Sequence, residues 1–132
     1  MKIKICYLFI ALFFSSTFFA CTSSKEITDY NFISREEWNA LKAKPYNSQV
    51  PERITIHHEG TVFDPEKRTA ATSLKNIQSW GMGNARNWSD IPYHFIIDFE
   101  GNVFEGRNPF TKGETATDYD PSGHLLISCF GN

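Results

Sequence analysis

The chain has 132 residues, of which 41% are hydrophobic and 15% aromatic, and its formal net charge at neutral pH is −2. This length is enough for one small domain with a single core, and it excludes two independently folded domains. The slight acidity and the lack of a basic run exclude an electrostatic nucleic-acid surface, so no nucleic-acid partner is expected.

Residues 1–20 have three zones that are typical of a secretory signal peptide. Two lysines give a positive start, an apolar run follows over residues 5–14, and Ala20 then precedes Cys21. An apolar run of this length is too short to span a bilayer, which takes roughly 20 residues. A buried helix or an uncleaved anchor is the alternative interpretation. The sequence therefore predicts export of the protein.

The junction of Ala20 and Cys21 resembles the lipobox of bacterial lipoproteins. The resemblance implies that Cys21 becomes the first mature residue and carries acyl chains, and more than one chain gives stable membrane anchoring. Thr22 is not the aspartate that typically retains lipoproteins at the inner membrane. We therefore expect a lipoprotein of the cell envelope, with the outer membrane favoured where there is one. Cys129 would then be the remaining cysteine, which leaves no disulfide within the mature chain.

Residues 21–32 are polar and predict a tether, and one domain is expected over residues 33–132. Ser34 and Glu37 have the spacing of a capping box, which predicts a helix that begins at Ser34 and ends before Pro45. A row of β-branched residues then predicts a strand over residues 53–58.

The rest of the chain continues this alternation of helix and strand. Hydrophobic residues at helical spacing predict a helix over residues 69–80, with Trp80 on its apolar face. The elements expected after it are a strand over 91–98, a hairpin partner over 102–105, a polar loop over 110–121 and a last strand over 124–130. This order predicts an α/β domain with a mixed central sheet flanked by helices.

Histidines are the candidate metal ligands, and they stand at positions 57, 58, 94 and 124. A catalytic zinc site typically takes three protein ligands and leaves one position open. Because consecutive strand residues point to opposite faces, only one of His57 and His58 can face a given metal ion. The same alternation separates Tyr93 from His94. Spacing alone is compatible with a metal site and also with purely structural histidines.

His124 and Cys129 are separated by an odd number of positions, so a regular strand places them on opposite faces. A metal site built from both side chains is therefore not expected. Cys129 lies in an apolar run, residues 125–130, and is better interpreted as a buried core thiol than as a ligand or a nucleophile.

Three segments resemble the zinc-dependent N-acetylmuramoyl-L-alanine amidases, the family that includes phage lysozyme-type amidases and peptidoglycan recognition proteins. Residues 54–61, Ile-Thr-Ile-His-His-Glu-Gly-Thr, resemble the first metal-binding strand of that family. Residues 88–107 resemble its second signature, and residues 123–132 resemble its third strand. The resemblance implies peptidoglycan as the partner, zinc as the cofactor, and hydrolysis of the amide between N-acetylmuramic acid and L-alanine.

The resemblance also implies roles for single residues. His57 matches the first zinc ligand, and His58 then has a structural or cleft-wall role that contacts substrate. Tyr93 matches the tyrosine that polarises the scissile carbonyl, and a phenol can donate to the developing negative charge there. His94 is expected in the core or behind the metal ligands.

Two further positions carry open alternatives. Trp88 is expected either to line a glycan groove or to be buried in the core. Arg107 is expected either to contact an acidic peptide stem or to pair with Glu105. Both residues are counted among the substrate-binding candidates.

The chain departs from the family at its C-terminal side. The family's remaining zinc ligands lie after another helix, in a segment of Gly-His…Cys-Pro-Gly type, and no such segment precedes Asn132. We therefore expect an incomplete zinc site and a truncated domain that lacks its C-terminal helix and one cover of its sheet. The alternatives to an active amidase are a catalytically inactive peptidoglycan-binding module and a non-functional fragment.

Overall fold

The computed structural model describes residues 30–60 and 62–131 of the chain. The predicted signal peptide and Cys21 lie outside the described residues, as does most of the predicted tether. The predictions of export and lipid anchoring therefore stay predictions. Within the described ranges, no helix is both long enough and apolar enough to cross a bilayer.

In the part of the chain that the structure describes, five strands form one mixed sheet whose spatial order is β1-β4-β3-β5-β2. The strands are β1 (Phe32–Ile33), β2 (Arg53–His58), β3 (Phe95–Ile97), β4 (Val103–Glu105) and β5 (His124–Cys129). β3 and β4 pair antiparallel as a hairpin, and the other neighbours pair parallel. The predicted mixed α/β architecture is confirmed, and β5 takes a central place between β3 and β2.

The helix α1 (Ala70–Met82) crosses one face of this sheet. The hydroxyl of Thr69 caps it by accepting from the backbone N–H of Thr72 at 3.2 Å. Leu74 is fully buried, as the periodicity predicts, but Trp80 is 54% exposed. The predicted helix is therefore confirmed in position, while the prediction that Trp80 faces the core is wrong.

The helix predicted from Ser34 is a single turn. Its capping box forms, because the Ser34 N–H donates to the Glu37 carboxylate at 2.7 Å and the Glu37 N–H donates to the Ser34 hydroxyl at 3.4 Å. The turn then ends at Asn39, whose φ of +56° lies in the left-handed region that helices do not continue through. The predicted capping box is therefore confirmed, whereas the predicted length of the helix is wrong.

The strand predicted over residues 91–98 is shorter in the structure, where β3 covers only Phe95–Ile97. Pro92 has no N–H to donate to a neighbouring strand, which explains the late start. Ile91, which precedes the strand, is nevertheless fully buried, as is Ile96 within it.

The core lies between the sheet and α1. It consists of large apolar side chains from the strands, the helix and the loops, namely Trp38, Phe63, Leu74, Ile91, Ile96, Phe104 and Phe130. Trp38 also donates its indole N–H to the carbonyl of Glu105 at 2.7 Å, which joins the single turn to β4. The opposite face of the sheet is open at β2, where Ile54 and Ile56 are 64% and 63% exposed. This agrees with the expectation of one uncovered face.

Candidate functional site

The candidate site is a groove of about 440 Å³ at the end of β2 and beside α1. Four residues singled out from the sequence line it, namely His57, His58, Trp88 and Tyr93. A larger groove of about 570 Å³ lies elsewhere, beside Arg35 and Phe110, and contains none of these four side chains. The chemistry expected from the sequence therefore converges on one place.

His57 is held between two aromatic rings. The ring of Tyr93 lies 5.4 Å from the His57 ring, centroid to centroid, and is tilted by 46°. On another side, the phenol of Tyr119 hydrogen-bonds His57 Nε2 at 2.7 Å, with the two rings 6.0 Å apart and nearly parallel. His57 is half-buried and His58 is exposed, which confirms that they face opposite sides of β2.

The groove keeps its phenols protonated and disfavours a positive charge on His57. Burial lowers the pKa of His57, and the neighbouring His58 and His124 lower it further. Burial raises the pKa of Tyr93, against a smaller opposite effect from its hydrogen bond with Ser128. Both Tyr93 and His57 are therefore neutral hydrogen-bonding groups at neutral pH.

Trp80 and Trp88 form another part of the groove lining. Their rings meet edge to face with centroids 5.4 Å apart, and the guanidinium of Arg86 lies 4.6 Å from the Trp80 centroid. Gly81 makes this arrangement possible, since a Cβ at that position would come within 2.5 Å of the Trp88 ring. Of the two alternatives for Trp88, the structure thus favours the groove-lining one.

Arg107 takes neither of the roles expected for it. Its side chain is only 1% exposed and pairs with Glu114 at 2.6 Å, not with Glu105. Three further hydrogen bonds go to the backbone carbonyls of Asp90, Ile91 and Lys112. The guanidinium is thus held inside the protein, and the expected contact with a peptide stem is corrected to a structural role.

The other two histidines sit behind the groove. His94 is completely buried, with Nδ1 accepting from the Leu126 N–H at 2.8 Å and Nε2 donating to the Thr111 carbonyl at 2.9 Å. This confirms the core role expected for it. His124 Nδ1 hydrogen-bonds the hydroxyl of Thr55 at 2.7 Å.

A metal ion needs several donors at one point, and the described residues do not supply them. Over residues 30–60 and 62–131, no three side chains of His, Cys, Asp or Glu lie close enough together to hold an ion. Cys129 pairs in register with His58, on the other side of the sheet from His57, and is only partly buried, so the prediction of a buried core thiol is wrong. The donors that these described residues place around His57 therefore do not fit zinc.

Sequence reasoning missed several residues in the groove or in contact with its lining. Tyr119 lies in the loop that was expected only to be polar, and Thr115 and Thr117 from the same loop add two hydroxyls that contact each other at 2.7 Å. A lone tyrosine in an otherwise polar segment was the one available signal. Trp80 was missed because helical periodicity assigned it to the core.

The mixed sheet and the helix of the described residues match the fold of peptidoglycan-recognition and amidase domains. The structure is similar to Drosophila peptidoglycan recognition protein SD, with a TM-score of 0.67 and 30% identity over 79% of this chain and 62% of that chain. It is also similar to Drosophila PGRP-LB, with a TM-score of 0.59, 26% identity and the same two coverages.

Curated relatives point to the same class of protein. Peptidoglycan-recognition protein SC2 of Drosophila simulans is 32% identical over 111 residues, which cover 83% of this chain and 59% of the relative. Peptidoglycan-recognition protein 1 of Holotrichia diomphalia is 28% identical over 130 residues, which cover 96% and 66%. The chain thus spans less than two thirds of the length of these relatives. No family model matches it.

Proposed function

We propose that this chain is a peptidoglycan-binding domain that holds a muramyl peptide in the groove at the end of β2. The observation that carries the proposal is the composition of that groove. Aromatic rings of Trp80, Trp88 and Tyr93 stand beside hydroxyls of Thr115 and Thr117. Concave sites of this kind, largely apolar with a few placed polar groups, suit ligands that combine sugar rings with peptide bonds.

The relatives support this choice of ligand. They are named for the recognition of peptidoglycan, and similar solved structures include complexes of PGRP-LC and PGRP-LB with tracheal cytotoxin. The groove of this chain, with a volume of about 440 Å³ and a lining that is partly aromatic and partly polar, lies within the usual range of ligand sites. Affinity for peptidoglycan is therefore the function that the described residues support best.

Replacing Trp88 by alanine should weaken binding of a soluble muramyl peptide by about tenfold or more, since truncating an aromatic anchor commonly removes a large share of the binding energy. Isothermal titration calorimetry measures this dissociation constant, and co-sedimentation with insoluble peptidoglycan gives a second readout. Tyr46→Ala is the matched control, because Tyr46 is exposed and lies outside the groove. Equal affinities for wild type and Trp88→Ala would remove the groove from the binding site.

A second candidate function is hydrolysis of the amide between N-acetylmuramic acid and L-alanine. The closeness of Tyr93 to His57 favours it, because a buried phenol that keeps its proton can donate to an oxyanion. Zinc-dependent hydrolysis needs ligands in addition to His57, since the described residues offer no group of three donors. The amidase activity is therefore proposed second to binding.

Purified protein supplied with zinc should, if it is an amidase, release stem peptides from peptidoglycan. Tyr93→Phe should then slow the release by about 10²–10³, the usual effect of removing one oxyanion donor. Chromatography of the released peptides measures the rate. Release that is absent, or that is unchanged in Tyr93→Phe, counts against this second function while leaving the binding proposal intact.

The location of the protein in the cell envelope depends on Cys21, which lies outside the described residues. We propose that a lipid on Cys21 holds the domain at a membrane of the cell envelope. The support for this is the arrangement of residues 1–21 alone. Such an anchor would keep the groove within a tether's length of the cell wall.

A further inference from the structure

One ring nitrogen of His57, Nε2, already has a hydrogen-bond partner. Tyr119 places its hydroxyl 2.7 Å from His57 Nε2, which is the distance of a strong hydrogen bond. The two rings are also close to parallel, at 21°, so the contact combines a directed bond with packing. The imidazole is thus fixed in orientation by protein groups alone.

The loop that carries Tyr119 is tied to the rest of the fold beside this contact. Asp120, the next residue, forms an ion pair with Lys112 at 2.8 Å and accepts from the hydroxyl of Ser122 at 2.9 Å. The ring of Tyr119 also packs against His124, with centroids 5.3 Å apart. Tyr119 therefore lies between two histidines on neighbouring strands, His57 of β2 and His124 of β5.

This placement bears on the missing metal donors. A metal ion bound by His57 through Nε2 would have to displace the Tyr119 hydroxyl, and it would find no further pair of donors among the described residues. A metal-binding histidine usually has a hydrogen-bond partner that fixes the orientation of its ring, and here the Tyr119 phenol fixes the ring of His57. The contact with Tyr119 thus explains how His57 is held in the groove although the described residues place no group of three metal donors around it.

We propose that Tyr119 is a positioning residue that holds the imidazole of His57 in the groove wall, through the ring nitrogen that a metal ion would otherwise bind. The proposal deepens the proposed peptidoglycan-binding function and rests on it. Loss of the Tyr119 hydroxyl frees the His57 ring, which then has to be ordered when the ligand binds.

Calorimetry and histidine NMR test the proposal together. A soluble muramyl peptide should bind the protein equally well in EDTA and in the presence of equimolar zinc. Tyr119→Phe should weaken this binding by about fivefold to tenfold, the effect of one lost hydrogen bond. In protein labelled with 15N-histidine, the same substitution should shift the Nε2 resonance of His57. Tyr46→Phe is the control and should change neither quantity.

Two results would overturn the proposal. One is tight binding of one equivalent of zinc to the wild-type protein, seen by calorimetry and as a perturbed His57 resonance. The other is an unmoved His57 resonance in folded Tyr119→Phe. If the wild-type protein binds no muramyl peptide, the peptidoglycan-binding function fails. The zinc titration and the His57 resonance still decide, in that case, whether Tyr119 or a metal ion holds the ring.

Discussion

Replacing Arg107 by methionine should lower the free energy of unfolding by about 3–5 kcal/mol, the usual cost of breaking a buried ion pair from one side. The Arg107 side chain is almost wholly buried, and its donors satisfy Glu114 together with three backbone carbonyls. Methionine fills much of the volume but donates nothing. Several acceptors would then be left in a place that water does not easily reach, and each of them costs free energy.

Glu114 shows how strongly this network holds a charge. Burial alone would raise the pKa of its carboxyl, yet hydrogen bonds from Ser89 and Arg107 bring the pKa below its usual value. Urea denaturation followed by circular dichroism measures the loss of unfolding free energy in Arg107→Met. Arg53→Met is the matched control, because Arg53 forms an exposed pair with Glu52 and such pairs contribute about 0–1 kcal/mol. Similar losses in the two variants would contradict the assigned role of Arg107.

Replacing His94 by leucine should cost about 2–4 kcal/mol, because two buried backbone groups lose their partners at once. These are the N–H of Leu126 and the carbonyl of Thr111. Leucine has no polar atom to offer either of them. Chemical denaturation at neutral pH measures the loss, and His58→Leu is the control, since His58 is exposed on the same sheet. A loss no greater than that of the control would show that His94 is dispensable to the core.

The same substitution should change the response to acid. Burial lowers the pKa of His94 in the folded protein, although the hydrogen bond from its ring to the Thr111 carbonyl opposes this. The neutral ring therefore contributes stability that is complete above the unfolded pKa of about 6.5 and is lost as the pH falls below it. Wild type should lose stability between neutral and mildly acidic pH, and His94→Leu should lose less. His57, whose pKa is also lowered by burial, accounts for part of the remaining slope.

Local sequence patterns predicted the elements that have strong local causes. β2 was predicted from its row of β-branched residues, and α1 from its apolar spacing. The turn at Ser34 was found as well, but its end was not, because Asn39 adopts a left-handed conformation that its sequence context does not require. β1 has only two residues, too few for any periodicity to show.

The site was predicted only where a residue type and its strand position decide the outcome. His57 and Tyr93, which were singled out by the family resemblance, both line the groove, and alternation along β2 separates His57 from His58. Arg107 and Tyr119 were not, because their partners are loop residues brought together by the tertiary fold. A loop can place a tyrosine against a distant strand without any local pattern that reports it.

The open face at Ile54 and Ile56 has a practical consequence for anyone handling the protein. Among the described strands, β2 pairs only with β5, so its other edge offers free backbone N–H and carbonyl groups beside two bare isoleucines. Edges of this kind recruit further strands, and a net charge of −2 gives little colloidal repulsion against it. We therefore expect the protein to aggregate through this edge as it is concentrated, which would be seen as turbidity, and to stay dispersed better in dilute, cold solution.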